Sequence, residues 1–332
     1  MKKSLIAVFA AALAALAIPF SLAGCGGSGE VLKINEVTHS VFYAPMYLAD
    51  ALGYYEEEGF EVEFTNGGGA DNTMAAVLSG SADVGFCGPE AALYIAIGGS
   101  SDSPKVFGQL TKRDGSFLVA RTPEPDFKWS DLGGKEILAG RKGGVPAMTF
   151  EYVIEELGVN ASLNYDVDFN YMTAAFESGI ADYCTMFEPT ASDYEAEGKG
   201  YIVASVGEQS GEIPYTCFAA KESYINENPE KIEGLLRAVT KATKFVMEND
   251  AATVAEYLAP YFDGTSEESL ANSVQAYKDI DAWVANMAME EAAFTRLQDV
   301  IENSGELERR VDFDELILTD VAQKVYEEVY GI

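Results

Sequence analysis

Histidine is almost missing from this 332-residue chain; His39 is the only one. That excludes zinc or manganese centres built from several imidazoles. Basic residues are also scarce, 22 Lys and Arg against 54 Asp and Glu, for a formal charge of −32. Such a surface repels phosphate backbones and anionic headgroups, which argues against nucleic-acid binding and against electrostatic docking on membranes. There are four cysteines. Apart from Cys25, these are Cys87, Cys184 and Cys217, an odd number at wide spacing. They do not describe a disulfide framework, although one pair could form. No stretch alternates Asp or Asn before a closing Glu as calcium loops do. No metal and no cofactor is expected.

The chain does carry an export signal. Lys2 and Lys3 precede an apolar run from Leu5 to Leu22, which small residues follow. A spanning helix is the rival reading of so long a run. Pro19 and Ser21 interrupt its far end, however, and no charged stop follows. The tetrapeptide Leu22-Ala23-Gly24-Cys25 resembles the bacterial lipobox. The resemblance implies removal of residues 1–24 and attachment of acyl, palmitate-type, chains to Cys25. Residues 25–30 would then be a tether, whose five residues after Cys25 reach roughly 17 Å when extended.

Two stretches echo each other. SGSADVGFCGPEAAL (79–93) and SGIADYCTMFEPTAS (178–192) share Ser-Gly-x-Ala-Asp, an apolar run and a Pro/Glu corner at a constant offset. The apolar and turn patterns place a strand at 31–37 and a helix at about 44–58, then a strand at 60–64 and a glycine corner at 66–69. A strand at 105–111 closes a first alternating set. A second set spans 116–206, with a strand around Asp166–Phe169. Amphipathic helical segments follow at 229–248, 251–262, 266–285, 290–304 and 313–330. The rhythm breaks near Lys112–Gly115 and Gly211–Pro214. The expected fold is α/β, with two doubly wound lobes, two hinge crossings and a helical C-terminal tail packed on the first lobe. Residues 31–113 and 216–332 form lobe one, and 114–215 form lobe two.

Ligands of open α/β sheets sit beyond the carboxyl ends of the strands. That rule nominates Cys87, Gly88 and Glu90 after one echo strand, and Phe187 and Glu188 after the other. Glu188 suits a ligand with paired N–H donors; its plainer role, and that of Glu90, is to complement a helix start. His39, Phe42 and Tyr43 follow the first strand, where the aromatic rings either stack on a ligand or pack beneath the next helix. The loop Arg141-Lys142-Gly143-Gly144-Val145-Pro146 opens a helix. Its glycines and free amides suit a carbonyl or oxyanion, and Gly143, Gly144 and Val145 would approach most closely. Arg113 and Arg141 either neutralise a carboxylate or bind an anion. Tyr215 adds an aromatic ring near the second crossing.

The stretches THSVFYAPMYLA, SADVGFCGPEAALY, QLTKRDGSFLVAR, GRKGGVP, MFEPTAS and SGEIPY resemble extracytoplasmic substrate-binding proteins of ABC importers. The branch is the one serving nitrate, taurine, alkanesulfonates and thiamine-pyrimidine precursors. The resemblance runs from about Val31 to the C-terminus and implies a type II periplasmic-binding-protein fold. It also implies a small-molecule ligand, an ABC permease with its ATPase as partners, and a lipid-anchored monomer outside the cytoplasm.

The acidic and aromatic supply near the cleft favours a thiamine-pyrimidine precursor or related heterocycle over sulfonate, taurine or nitrate. A ligand-sensing lipoprotein is the alternative with the same cleft. An intracellular pyrimidine synthase is similar too, and the resemblance implies for it a histidine, a lysine-bound pyridoxal phosphate and a cysteine-rich run. Here Lys33 lies six residues from His39 and no such run exists, so no enzyme activity is expected. A Cys–His nucleophile from His39 and one of the three cysteines is the other catalytic alternative.

Overall fold

The computed structural model describes residues 30–332; the export signal and Cys25 lie outside the described residues. Its strands are β1 (Glu30–Glu36), β2 (Phe60–Asn66), β3 (Val84–Cys87), β4 (Pro104–Thr111), β5 (Ser116–Ala120), β6 (Glu136–Leu138), β7 (Ser162–Leu163), β8 (Tyr183–Phe187), β9 (Tyr201–Ser205) and β10 (Thr216–Lys221). They form two five-stranded sheets, ordered β2-β1-β3-β10-β4 and β7-β6-β8-β5-β9. The orders match position by position. In each sheet the fourth strand runs antiparallel to its neighbours, and that strand comes straight from a crossing. The two crossings are bonded together: the Ile213 and Tyr215 amides donate to the Lys112 and Thr111 carbonyls at 2.8 and 3.1 Å.

The echoed pentapeptide is a device for stopping a helix and starting a strand. The helices Ala70–Ser79 and Met172–Ser178 end at Gly80 and Gly179, with φ of 77° and 96°. Glycine occupies this left-handed cap at little steric cost. The Ser79 and Ser178 hydroxyls donate back to the carbonyls of Ala76 and Ala175. Ala82 and Ala181 are buried. Asp83 then clamps the neighbouring strand: its amide donates to the Lys33 carbonyl at 2.9 Å and its carboxylate accepts from the Lys33 amide at 2.9 Å. Asp182 makes the same two bonds to Glu136, at 2.9 and 3.1 Å.

Three expected elements differ. The helix over 44–58 is two, Ala44–Ala51 and Tyr54–Glu57, broken at Gly53 with φ 73°. No strand forms around Asp166–Phe169. Asp168 there accepts a hydrogen bond from the Asn170 amide and caps a short 3-10 turn, Phe169–Tyr171, which overrides the alternating pattern. Of the C-terminal segments, 229–248 forms in full as Pro229–Glu248, whereas the later helices are shorter than their amphipathic runs. Helix Glu267–Asp279 gives way to an extended piece in which Trp283 bridges Thr111, and Ile317 interrupts the last run by bridging Val106.

Buried apolar residues gather in two clusters. The larger extends from the first sheet to one side of the second, at Phe117, Val119 and Met186, and the smaller covers its other side around Leu118, Ile137 and Phe150. The C-terminal helices contact elements from both halves of the chain. Pro229–Glu248 packs on Ala44–Ala51, while Glu291–Asn303 also rests on Val145–Glu156 and Glu267–Asp279 on Thr190–Ala196.

Candidate functional site

The carboxyl ends of β1, β3, β6 and β8 converge between the sheets. They enclose a cavity of about 50 Å³ walled by Tyr43, Phe169, Phe187 and Tyr215. Polar groups enter it at Thr38, Glu90, Arg141 and Thr216. Of the residues nominated from sequence, Tyr43, Gly88, Glu90, Arg141, Gly144, Val145, Phe187 and Tyr215 line this space. A second, more open and more polar cavity of about 170 Å³ adjoins it, sharing Thr38, Phe169 and Phe187 and adding His39, Asn170, Thr185 and Glu188.

Glu90 is the unusual group. It is 2% exposed, and among the described residues its Oε2 has no hydrogen-bond partner. Burial pushes its pKa up to about 7, against Arg141 and the Glu90 and Val145 amides, which favour the charged form. Gly88 leaves it room: a Cβ there would lie 2.0 Å from Glu90 Oε2. Arg141 faces it but is already paired with Asp71 across the cleft. The cavity therefore holds one unsatisfied acceptor and one cation already committed to an anion.

Glu188 serves a different purpose. Its carboxylate accepts from the Ser192 amide at 2.9 Å and the Ser192 hydroxyl at 2.8 Å, at the start of helix Thr190–Ala196. Burial raises its pKa and those two bonds oppose the rise. Its backbone joins the sheets: the Glu188 carbonyl accepts from the Ser40 hydroxyl at 2.6 Å and the Val41 amide at 3.2 Å, and its amide approaches the Tyr277 hydroxyl at 2.9 Å. The Glu188–Pro189 peptide is cis.

The other nominated residues support the cavity from outside its walls. Phe42 is fully buried beneath it, with ring centroids 5.8 Å from Phe187, 5.8 Å from Tyr215 and 4.9 Å from Tyr277. Gly143, at φ 74°, offers its carbonyl to the Tyr94 hydroxyl at 3.1 Å, one more link between the sheets. Arg113 pairs with Glu212 at the crossings, at 3.5 Å. Cys87 lies buried behind Gly88.

His39 has both ring nitrogens engaged, Nδ1 with Glu36 Oε1 at 2.9 Å and Nε2 with the Tyr261 carbonyl at 2.8 Å. Two acceptors suit the imidazolium, with a proton on each nitrogen, and the Tyr47 hydroxyl is a further neighbour of Nδ1 at 3.0 Å. The Glu36 bond raises its pKa, with burial opposing. Among the described residues no thiol is a partner of His39, and burial raises the pKa of Cys87, Cys184 and Cys217. The Cys–His pair considered from sequence is not assembled.

Sequence reasoning did not nominate Val37, Thr38, Gly69, Ala70, Pro146, Phe169 or Thr216, which complete the cavity wall. The NGGG corner at 66–69 was a usable signal for Gly69, since a glycine turn after a parallel strand lies at the ligand end of such sheets. Phe169 gave none, because its segment read as a strand.

Residues 41–253 match the family model described as "NMT1/THI5 like". The chain belongs to the NMT1/THI5-like family. Over 96% of its length, and 97% of the relative's, it is 36% identical to "Putative binding protein YtlA" of Bacillus subtilis (strain 168). A 4-amino-5-hydroxymethyl-2-methylpyrimidine phosphate synthase of Aspergillus parasiticus is 25% identical over 65% of this chain and 66% of its own. Among solved structures, the periplasmic nitrate-binding protein NrtA from Synechocystis PCC 6803 superposes with a TM-score of 0.74 at 15% identity, covering 90% of this chain and 89% of that one. This family member thus has the type II periplasmic-binding-protein fold.

Proposed function

We propose that this protein is the solute-binding component of an ABC-type importer, held outside the cytoplasm by lipid on Cys25, and that it binds an aminopyrimidine-like heterocycle of the thiamine-precursor class. The observation that carries the ligand reading is Glu90, a buried carboxyl group with an unpartnered oxygen among aromatic walls supplied by both sheets. Paired N–H donors on a flat ring satisfy such an oxygen, and Tyr43, Phe187 and Tyr215 offer faces and edges to the ring. A bare anion fits less well. Arg141 is neutralised by Asp71, and an anion beside Glu90 would add like charge in a desolvated place. Relatives support both halves of this reading, one by its designation as a putative binding protein and one by its designation as a synthase of a pyrimidine phosphate.

The halves are linked by two adjacent crossings, so a ligand touching both sheets favours the closed arrangement. Binding, not catalysis, is the proposed activity, with a permease and its ATPase as partners and the monomer as the working form. A thermal-shift panel of the full chain tests the ligand class. Aminopyrimidines at a hundred times their Kd should stabilise it by about 3 kcal/mol, a rise of roughly 5 °C or more. Stabilisation by nitrate, taurine or alkanesulfonates with none by pyrimidines would transfer the protein to the anion-binding class.

A further inference from the structure

Strand β10 enters the first sheet antiparallel to β3, in a register that sets Cys217 directly opposite Cys87. The register holds at the level of side chains, since the next facing pair, Phe86 and Phe218, has ring centroids 4.5 Å apart. Facing residues of an antiparallel pair share one side of the sheet, and their Cα atoms are about 4.5–5.5 Å apart. A disulfide spans Cα separations of about 4.4–6.8 Å. Both thiols are free and buried in this structure. Among the described residues the remaining cysteine, Cys184, sits on β8 in the other sheet and does not compete.

We propose that Cys87 and Cys217 form a disulfide when the chain folds in an oxidising exterior. The bond closes residues 87–217 into a ring that contains the whole second sheet. It also fixes β10, the strand into which the second crossing leads, to the strand behind the cavity; Gly88 and Thr216, the neighbours of the two cysteines, both line that cavity. The oxidant is a small-molecule disulfide or a thiol–disulfide oxidoreductase of the exterior. One thiolate attacks the oxidant's S–S bond to give a mixed disulfide, and the second cysteine displaces the remaining thiol. One S–S bond breaks and one forms, while two protons pass from the cysteines to the two released thiols. Burial and the nearby Glu90 disfavour both thiolates in the finished fold, so the exchange belongs to folding, before the strands close over the sulfurs. The inference does not depend on the ligand.

The test refolds denatured, reduced full-length protein either in mixed oxidised and reduced glutathione or in excess reductant. A non-reducing tryptic digest follows, read by mass spectrometry. The expected product from the glutathione buffer is one linked pair of peptides, carrying Cys87 and Cys217. Its melting temperature should stand about 10 °C above that of the reduced form, because the ring is long. Recovery of both cysteines as free thiols, or linkage of either to Cys184, overturns the proposal. In a Cys217→Ser variant the effect of reductant on melting should vanish, and its persistence there would equally overturn it. Should that variant not fold, the peptide map of the unaltered chain still decides.

Discussion

The two halves of this protein build the same scaffold and then finish it differently. Each stops a helix on a left-handed glycine, buries an alanine and uses an aspartate to clamp the adjacent strand, with bond lengths alike to within about 0.2 Å. Beyond the strand the similarity ends. The first half writes Gly88-Pro89-Glu90 and turns its carboxyl group into a cavity with an oxygen unpartnered. The second writes Phe187-Glu188-Pro189, spends its carboxylate on Ser192 and uses the backbone to join the sheets. A repeated motif can therefore be entirely architectural, while the copies diverge in the residues just past it.

Glu90 should give the largest departure between the halves. Its pKa of about 7 in the folded chain stands above the usual carboxyl value, so the native state holds the proton more tightly than the unfolded one. Its contribution to stability is full below about pH 4.5 and is lost as pH rises to about 7, worth about 3 kcal/mol. Denaturant melts from pH 5 to 8 should show this loss in the unaltered protein and a correspondingly flatter profile in Glu90→Gln. Identical slopes would remove the distinction between the two carboxyl groups.

Next in size is Glu188→Ala, which strips both bonds from Ser192 at a helix start. It should cost about 2 kcal/mol at neutral pH. Glu90→Gln, by contrast, should leave the melting temperature at pH 5 unchanged. Smaller, and equal between halves, are Asp83→Ala and Asp182→Ala, at about 1 kcal/mol each. A cost confined to one of them would show that the echo is not a shared device.

The smallest effect concerns His39. Its pKa is raised, so its support is full below about pH 6.5 and fades as pH climbs through the higher folded value. Because the chain has one histidine, a single imidazole resonance reports it by NMR. A midpoint above 6.5 is expected, and one below would contradict the double-acceptor geometry.

Much of this was readable from sequence because it is local. Gly80 and Gly179, the Pro89 and Pro189 corners and the glycine loop at Arg141 each announce a backbone event within a few residues. The alternation of strand and helix then implied two sheets with ligand-facing tips. What escaped depends on partners distant in the chain or on competing local bonds. Asp71 meets Arg141 across 70 residues, and nothing in either neighbourhood signals the pair. Phe169 belongs to a stretch whose alternation suggests a strand, yet Asp168 turns it. The order of Pro and Glu in the two corners names two acids without saying which one faces the cavity, since that choice rests on Gly88 making room and Ser192 offering donors.

The most direct measurement is isothermal titration of the full chain and its Glu90→Gln variant, side by side, with 4-amino-5-hydroxymethyl-2-methylpyrimidine and with nitrate. The account predicts saturable binding of the pyrimidine to the unaltered protein, weakened about 10- to 100-fold in the variant, as expected when one charged hydrogen-bond acceptor is lost. Nitrate binding without pyrimidine binding, or equal pyrimidine affinity in the two proteins, would contradict it.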